Sequence, residues 1–280
     1  LQMWESNIFH FWETTVAEDN LATELLSTFP NMSIENMIEC FELLVSTDEK
    51  KEKGITYTPR EIKNQIINSL FSENDIPKVI DPACGCGAFL ISAVEIMCGK
   101  YGLSYKEVIE NYIFGIDIDE IAVRRAKDLL SLLAYLNGEG EISTFHLYVA
   151  NALDSKFINK LKKTIGGFDY VVGNPPYVRY RNLSDEQKNN YMHWETSKGG
   201  NVDLYMPFFE VGLFLLKEKG TLGFISPNSY LQGINGRNLR NYLIKKGHPI
   251  QIVDFRNAQI FKSVTSYTCI TFISTGVINP

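Results

Sequence analysis

Three short segments carry residue types whose spacing suits chemistry on a small polar ligand. The first is Asp81-Pro-Ala-Cys-Gly-Cys-Gly-Ala-Phe-Leu90, at the junction of an apolar run and a helical one. Gly85 and Gly87 let a backbone approach a ligand closely, and the opening of a helix offers free N–H groups to a carboxylate or phosphate. The run lacks the lysine of a phosphate-binding P-loop and the spacing of GxGxxG, so both of those motifs are excluded. Alone, it is equally compatible with a glycine turn that serves packing. The second segment, Gly115-Ile-Asp-Ile-Asp119, closes the next apolar run. An acid at that place can accept both hydroxyls of a ribose. Asp117 alone reads as a helix cap or surface acid; paired with the glycine turn, it reads better as a nucleoside ligand. Asp119 suits the N-cap of the helix that follows. A cofactor with a ribose but no pyrophosphate fits a single short glycine turn. The third segment is Asn174-Pro-Pro-Tyr177. Two prolines fix the backbone and remove two donors. What remains is a rigid pair of acceptors, the Asn174 side-chain oxygen and the Pro175 carbonyl, beside the flat ring of Tyr177. That set suits a planar ring carrying an exocyclic amino group. As an isolated loop it would be only a proline turn; at the carboxyl end of a parallel strand, where ligands bind, the functional reading prevails.

The elements that must position these segments follow from hydrophobic period. Apolar residues at three- and four-residue spacing make residues 5–48 helical, with Pro30 as a break and Ser33 as a cap. The charged run Asp48–Lys53 marks a boundary between this helical segment (1–53) and the rest of the chain (54–280). Beyond it, short apolar runs alternate with helical ones. Strands are expected at Lys78–Asp81, Tyr112–Asp117, Phe145–Val149, Phe168–Val172, Thr221–Ile225, Ile250–Phe255 and Thr268–Phe272. Helices are expected at Ala88–Cys98, Ile121–Leu136, Leu204–Leu216 and Asn238–Lys246. That alternation predicts right-handed βαβ units and a mostly parallel α/β sheet. The polar stretch from Val178 to Asn201 is long for a connection and is expected to be a functional or mobile loop.

Composition narrows the field. In 280 residues, 45% are hydrophobic and 21% charged, which excludes disordered, fibrous and collagenous chains. The most apolar stretch, Tyr205–Leu216, is too short to span a bilayer and contains Glu210. No secretory signal is visible. The five cysteines form no CxxC pair and the four histidines are scattered, so no metal site is expected and a reducing cytoplasm is. A net charge of −6 is a poor fit to a chain whose main task is gripping phosphate, unless a basic part lies elsewhere.

Taken in order, these motifs resemble the gamma-class adenine-N6 DNA methyltransferases, the catalytic module of many bacterial restriction-modification enzymes, over residues 54–276. The resemblance implies a Rossmann-like fold that uses S-adenosylmethionine. Tyr57-Thr58-Pro59 is similar to the motif that closes over the methionine part of that cofactor. Asp81, Ala83, Cys84, Gly85, Gly87 and Phe89 fall in the glycine motif. Asp117 and Ile118 match the ribose-binding acid and the apolar residue beside the cofactor's adenine. Asn151 and Ala152 match the position that reads that adenine, where many relatives carry Asp. Asn174, Pro175, Pro176 and Tyr177 match the catalytic motif. Asp203-Leu-Tyr205 and the strand before Ser226-Pro-Asn228 match later motifs, and Phe272 an aromatic against the flipped target base. The Tyr57–Pro59 motif standing ahead of the glycine turn marks the gamma class.

The implied reaction is methyl transfer to the N6 amino group of an adenine swung out of duplex DNA. Asn174 and Pro175 would accept hydrogen bonds from the amine, Tyr177 would stack on the base, and no metal would be needed. Family members carry a target-recognition domain after the catalytic one. With the chain running from Leu1, not a methionine, to Pro280, the expectation is an excised catalytic part whose recognition domain, or a nuclease, lies outside it. Residues 1–53 hold no nuclease carboxylate-lysine cluster and are expected to be a connector or a helical lead. Rival readings are a protein-glutamine or RNA-adenine methyltransferase, which the Tyr57–Pro59 motif and the terminal strand disfavour. A catalytically idle, DNA-associated assembly module is disfavoured by the intact Asn174–Tyr177 and Asp117.

Overall fold

The structure, a computed structural model, describes residues 33–38, 58–71, 75–183, 188–189, 191–198, 202–256, 258, 260–261 and 267–276. Most of the helical stretch expected over 5–48, the charged run Asp48–Lys53 and Tyr57 lie outside these residues. Within 33–38, Ser33 caps one turn of helix by accepting the Asn36 N–H at 3.1 Å, as its sequence position suggested.

The order of elements is α1 (Arg60–Leu70), β1 (Val79–Asp81), α2 (Ala88–Tyr101), α3 (Tyr105–Asn111), β2 (Ile113–Asp117), α4 (Glu120–Leu136), β3 (His146–Val149), α5 (Ser155–Ile165) and β4 (Phe168–Gly173). Then come α6 (Tyr205–Leu215), β5 (Leu216–Pro227), α7 (Ser229–Gln232), α8 (Arg237–Lys246), β6 (Ile250–Asp254) and β7 (Thr268–Ser274). The strands form a seven-stranded sheet in the order β3-β2-β1-β4-β5-β7-β6. Strands β1 to β5 pair in parallel, and β7 runs antiparallel to both neighbours. The expected α/β class and mostly parallel sheet are therefore observed.

The central strands are nearly continuous apolar runs because helices cover both faces. Val79 of β1 joins a core on one face with α1, α2, α3 and α4, while Ile80 joins a second core on the other face with α5, α6 and α8. The turn of helix at 34–38 packs Ile34, Met37 and Ile38 into the first core. It is also tied to α1 by an ion pair, with Glu35 at 3.0 Å from the fully buried Lys63.

Several elements were not read from sequence. Helix α3 begins at the N-cap Ser104, whose side chain accepts the Glu107 N–H at 3.1 Å. Helix α5 begins at Asp154, which accepts the Lys156 N–H at 2.9 Å. Strand β5 starts at Leu216, directly where α6 ends, and so reaches further back than the expected Thr221–Ile225. Its polar start looks like a loop by composition. Leu216 nevertheless pairs with Phe168, and Lys217 bonds both carboxylate oxygens of Asp169 at 3.0 and 2.9 Å.

Candidate active site

The sheet changes direction of travel at β1 and β4. From β1 the chain moves outward to β2 and β3, then returns to lay β4 on the opposite flank of β1. In open α/β sheets the carboxyl ends of strands at such a reversal frame the ligand crevice. Asp81 ends β1, Asp117 ends β2 and Gly173 ends β4, so the three motifs converge on one edge.

The glycine turn is shaped by its backbone. Cys84 N–H donates to Ile116 O at 2.9 Å, which ties the turn to β2, and Gly87 N–H donates to Cys84 O at 2.8 Å. Gly87 opens α2 with φ +86, and a Cβ there would lie 3.1 Å from Ala126 Cβ of α4. That requirement explains the glycine: positive φ and close helix packing coincide. Gly85, also at positive φ, faces open space; nothing among the described residues lies within 4 Å of where its Cβ would stand. Cys84, Cys86 and Phe89 are buried in the core beneath the turn, and Ala83 is half-buried.

Asp117 is held from two sides. Its Oδ2 accepts the Gly85 N–H at 2.8 Å and its Oδ1 the Asp119 N–H at 2.9 Å. Each oxygen keeps further acceptor capacity, since an ionised carboxylate has about four lone-pair sites. Asp119 caps α4 through Ile121 N–H at 2.9 Å and Ala122 N–H at 3.3 Å, the role expected of it. Ile118 is 60% exposed beside the acid. The next strand end is drawn in by the Ala150 N–H bond to Asp117 O at 2.9 Å, which sets Asn151 near Asp117. Asn151 Oδ1 accepts the Leu153 N–H at 2.9 Å, and Ala152 is buried.

The catalytic-motif segment meets the glycine turn through Asp81. Asp81 Oδ1 accepts the Ala83 N–H at 2.9 Å. Gly173 has φ +147, and a Cβ there would come within 2.6 Å of Asp81 Oδ1. The Asp81 carboxyl thus occupies the space a side chain at 173 would need. Next in the chain, Asn174 donates from Nδ2 to the buried Thr58 Oγ1 at 3.0 Å. Pro59 opens α1, so this bond ties the start of α1 to the end of β4. The Tyr177 ring lies edge-on to Tyr205 and Phe261, with centroids 6.1 and 6.3 Å away. Its hydroxyl is buried without a partner among the described residues, and that burial holds its pKa well above the usual tyrosine value.

Electrostatically the crevice is acidic and desolvated. Burial lifts the Asp81 carboxyl to about 8; the Ala83 N–H works against the shift and the Asp117 charge adds to it. Burial also raises Asp117, opposed by the N–H groups of Asp119 and Gly85. Burial raises the Cys84 thiol further, helped by Asp117 and Asp81, so it stays a thiol and packs as an apolar group. Asp81 is therefore largely protonated near neutral pH, and the hydrogen-bonded Asp117 carboxyl is the acceptor this edge offers. The residues present therefore fit S-adenosylmethionine: a carboxylate acceptor for a ribose and an open glycine backbone beside it. Among the described residues no cluster of His, Cys, Asp or Glu could hold a metal ion.

Phe272 is not brought to this group. It sits mid-sheet on β7 opposite Gly223, two strands from Val172, and its ring meets the Gly223 backbone on the α1 face. Two aromatics do reach Tyr177: Tyr205 of α6, and Phe261, 2% exposed, from the β6–β7 connection. The sequence signal for Phe261 was slight, an apolar Ile260-Phe261 pair within a polar linker. Across the Val178–Asn201 stretch, the described parts are anchored by aromatics. Tyr191 OH donates to Val202 O and Trp194 Nε1 to Leu153 O at 3.0 Å, while Arg179 and Arg181 remain exposed. No helix among the described residues is long and apolar enough to cross a membrane.

Comparison with known proteins gives concordant results. The type II restriction enzyme and methyltransferase RM.Eco57I of Escherichia coli is 25% identical, over 95% of this chain and 32% of its own length. The type II methyltransferase M.BstVI of Geobacillus stearothermophilus is 32% identical, over 71% of this chain and 37% of its own. The chain therefore spans about a third of these curated relatives. Among solved structures, a protein of Listeria monocytogenes assigned to the class I S-adenosylmethionine-dependent methyltransferases superposes with a TM-score of 0.62 at 17% identity, covering 90% of this chain and 71% of that one. The fold is thus that of a class I methyltransferase. A family profile matches residues 111–261, from the strand that ends in Asp117 through Asn174–Tyr177 to Phe261; by that match, the chain belongs to the Eco57I restriction-modification methylase family.

Proposed function

We propose that this chain is the catalytic module of a restriction-modification enzyme and that it methylates the N6 amino group of adenine in DNA. The observation that carries the reading is the convergence of Asn174-Pro-Pro-Tyr177 with the Asp81–Asp117 crevice at the β1/β4 reversal. S-adenosylmethionine supplies an electrophilic methyl group whose carbon–sulfur bond breaks as the carbon–nitrogen bond forms, with the sulfur keeping the electron pair. Asp117 would hold the ribose. Ile118, Asn151 and Ala152 would enclose the cofactor's adenine.

The target nitrogen is a poor nucleophile because its lone pair is delocalised into the ring. Hydrogen bonds from its two N–H groups to Asn174 Oδ1 and the Pro175 carbonyl would draw it toward tetrahedral geometry and localise that lone pair. The surplus proton then leaves to water, so no strong base is needed. Swinging the base out of the duplex costs a few kcal/mol. Stacking on an aromatic such as Tyr177 returns about 1–3 kcal/mol per base. Exposed Arg179 and Arg181, beside the catalytic motif, suit the phosphate backbone. Sequence recognition is proposed to come from a target-recognition domain or subunit outside these residues, in keeping with curated relatives about three times as long.

The test uses the full-length protein, labelled S-adenosylmethionine and duplex DNA, with the product digested to nucleosides. N6-methyladenine in the wild type, absent from Asn174→Ala with cofactor binding kept, supports the proposal. Methylation of another nucleoside, or more than about a tenth of wild-type turnover in the variant, would overturn it, because a lost bond to developing charge is worth a few kcal/mol.

A further inference from the structure

We propose that Thr58 is a positioning residue for the methyl-transfer step, acting through the amide of Asn174; the inference rests on the function proposed above. Thr58 is 4% exposed, and its Oγ1 receives the Asn174 Nδ2–H at 3.0 Å, across 116 positions of sequence. Neither end of that bond is free to wander. Thr58 directly precedes Pro59, whose carbonyl accepts the Ile62 and Lys63 N–H groups at 3.1 Å and so opens α1. Helix α1 is fixed by the burial of Ile66, Ile67 and Leu70 and by the Lys63–Glu35 pair. On the other side, Asn174 follows Gly173, whose backbone is set by the Asp81 carboxyl, and precedes two prolines.

With its backbone so restrained, what Asn174 presents depends on its side-chain torsions, and above all on the terminal one, which is broad and roughly two-fold. One orientation presents an oxygen acceptor to an incoming amine; the opposite one presents a second N–H donor, which repels it. A substrate amine on the Oδ1 side and the Thr58 oxygen on the Nδ2 side are satisfied together only in the first. The two bonds also reinforce each other. As the target nitrogen gives up its lone pair and its N–H groups become more acidic, Oδ1 draws electron density through the amide. Nδ2 then becomes the stronger donor to Thr58. The bond is therefore stronger while the methyl group is in transit than before, which is the condition for accelerating the step and not merely binding substrate. The same contact makes the α1 entrance, where the cofactor-closing motif lies, a physical support of the catalytic amide.

The experiment compares full-length wild type, Thr58→Val and Thr58→Ser in single turnover at saturating S-adenosylmethionine, on whichever amino group the wild type methylates. Dissociation constants for S-adenosylhomocysteine are measured alongside. The expected result is a rate about tenfold lower for Thr58→Val, the equivalent of losing one charge-reinforced hydrogen bond, with most of it restored by Thr58→Ser. A wild-type rate in Thr58→Val overturns the inference. So does a loss that disappears when cofactor is raised, which would make Thr58 a cofactor contact only. A second measurement does not depend on turnover: the Asn174 side-chain NH2 signal in ¹⁵N-resolved NMR should shift in Thr58→Val and not in Thr58→Ser, and an unmoved signal overturns the inference even if no product forms. A wild type that methylates something other than adenine N6 defeats the proposed function and leaves this comparison to stand or fall by itself.

Discussion

Replacing Gly173 with alanine tests how the two halves of the site lean on each other. The residue holds φ +147, and a methyl group there would stand 2.6 Å from Asp81 Oδ1. Keeping that backbone with an L side chain costs about 1–3 kcal/mol. Displacing Asp81 forfeits its 2.9 Å bond from Ala83 N–H, and leaving a buried group unpaired costs about 1–3 kcal/mol more. Together the penalty is about 2–6 kcal/mol, a large part of the ~5–15 kcal/mol that stabilises an ordinary domain. The chain can escape by rotating the backbone to a common φ, but that swings Asn174 away from Thr58. A displacement of about 1 Å at a reacting group lowers the rate about a hundredfold. Thermal denaturation and single-turnover methylation read the two routes separately. The variant should lose stability, or rate, or both. A Gly173→Ala protein with wild-type melting and wild-type rate would show that the Asp81–Gly173 contact constrains nothing.

Asp117→Ala should weaken S-adenosylhomocysteine binding, since each hydrogen bond to a charged acceptor is worth about 1.5–3 kcal/mol; an unchanged dissociation constant by calorimetry would return Asp117 to a merely structural acid. Asp81 titrates near 8 when folded against an ordinary 3.8, so the folded chain binds the extra proton between those values. Its stabilising contribution is complete below about pH 4 and is lost as pH rises through about 8; melting of the ligand-free protein should fall over that window, and less steeply in Asp81→Asn. If the two proteins have parallel pH profiles, the burial shift assigned to Asp81 is wrong. Glu35→Ala removes the 3.0 Å ion-pair partner of the buried Lys63 and should lower stability in denaturant unfolding, by less than the ~3–5 kcal/mol of a wholly unpaired buried charge because Glu95 also acts on Lys63; Lys63→Met in the same background should partly restore it.

Much of the crevice at the carboxyl ends of β1, β2 and β4 was legible from residue types. Gly87, Asp117 and Asn174 stand where strand-to-helix junctions of a parallel sheet require special backbone or side-chain chemistry, and such requirements leave marks in composition. Asp119 and Ser33 as caps were legible for the same reason. Phe261 was not, because an aromatic in an irregular connection has no period to announce it; Phe272, in a clean strand pattern, drew the attention instead. The Thr58–Asn174 bond was equally hidden, since no local rule links residues on separate elements. Helices α3 and α5 were missed through reliance on apolar runs, although Ser104 with Glu107, and Asp154, are recognisable start signals. The early reach of β5 escaped because pairing, not side-chain apolarity, holds Lys217 and its neighbours in the sheet.

The reversal of the sheet between β1 and β4 bears on how the molecule is made. Asp81 and Asp117 lie on neighbouring strands joined by a local crossover, so a nascent chain can pair them early. Asn174 arrives only with β4, which must find β1 after β2, β3 and the intervening helices have been laid down, and it needs Thr58 from before the first strand. Contacts that close such long stretches of chain form late and slowly. A partly folded molecule of this kind can hold the Asp81–Asp117 side of its crevice but not the Asn174 segment with its bond to Thr58. The methyl transfer proposed above would therefore require the finished sheet.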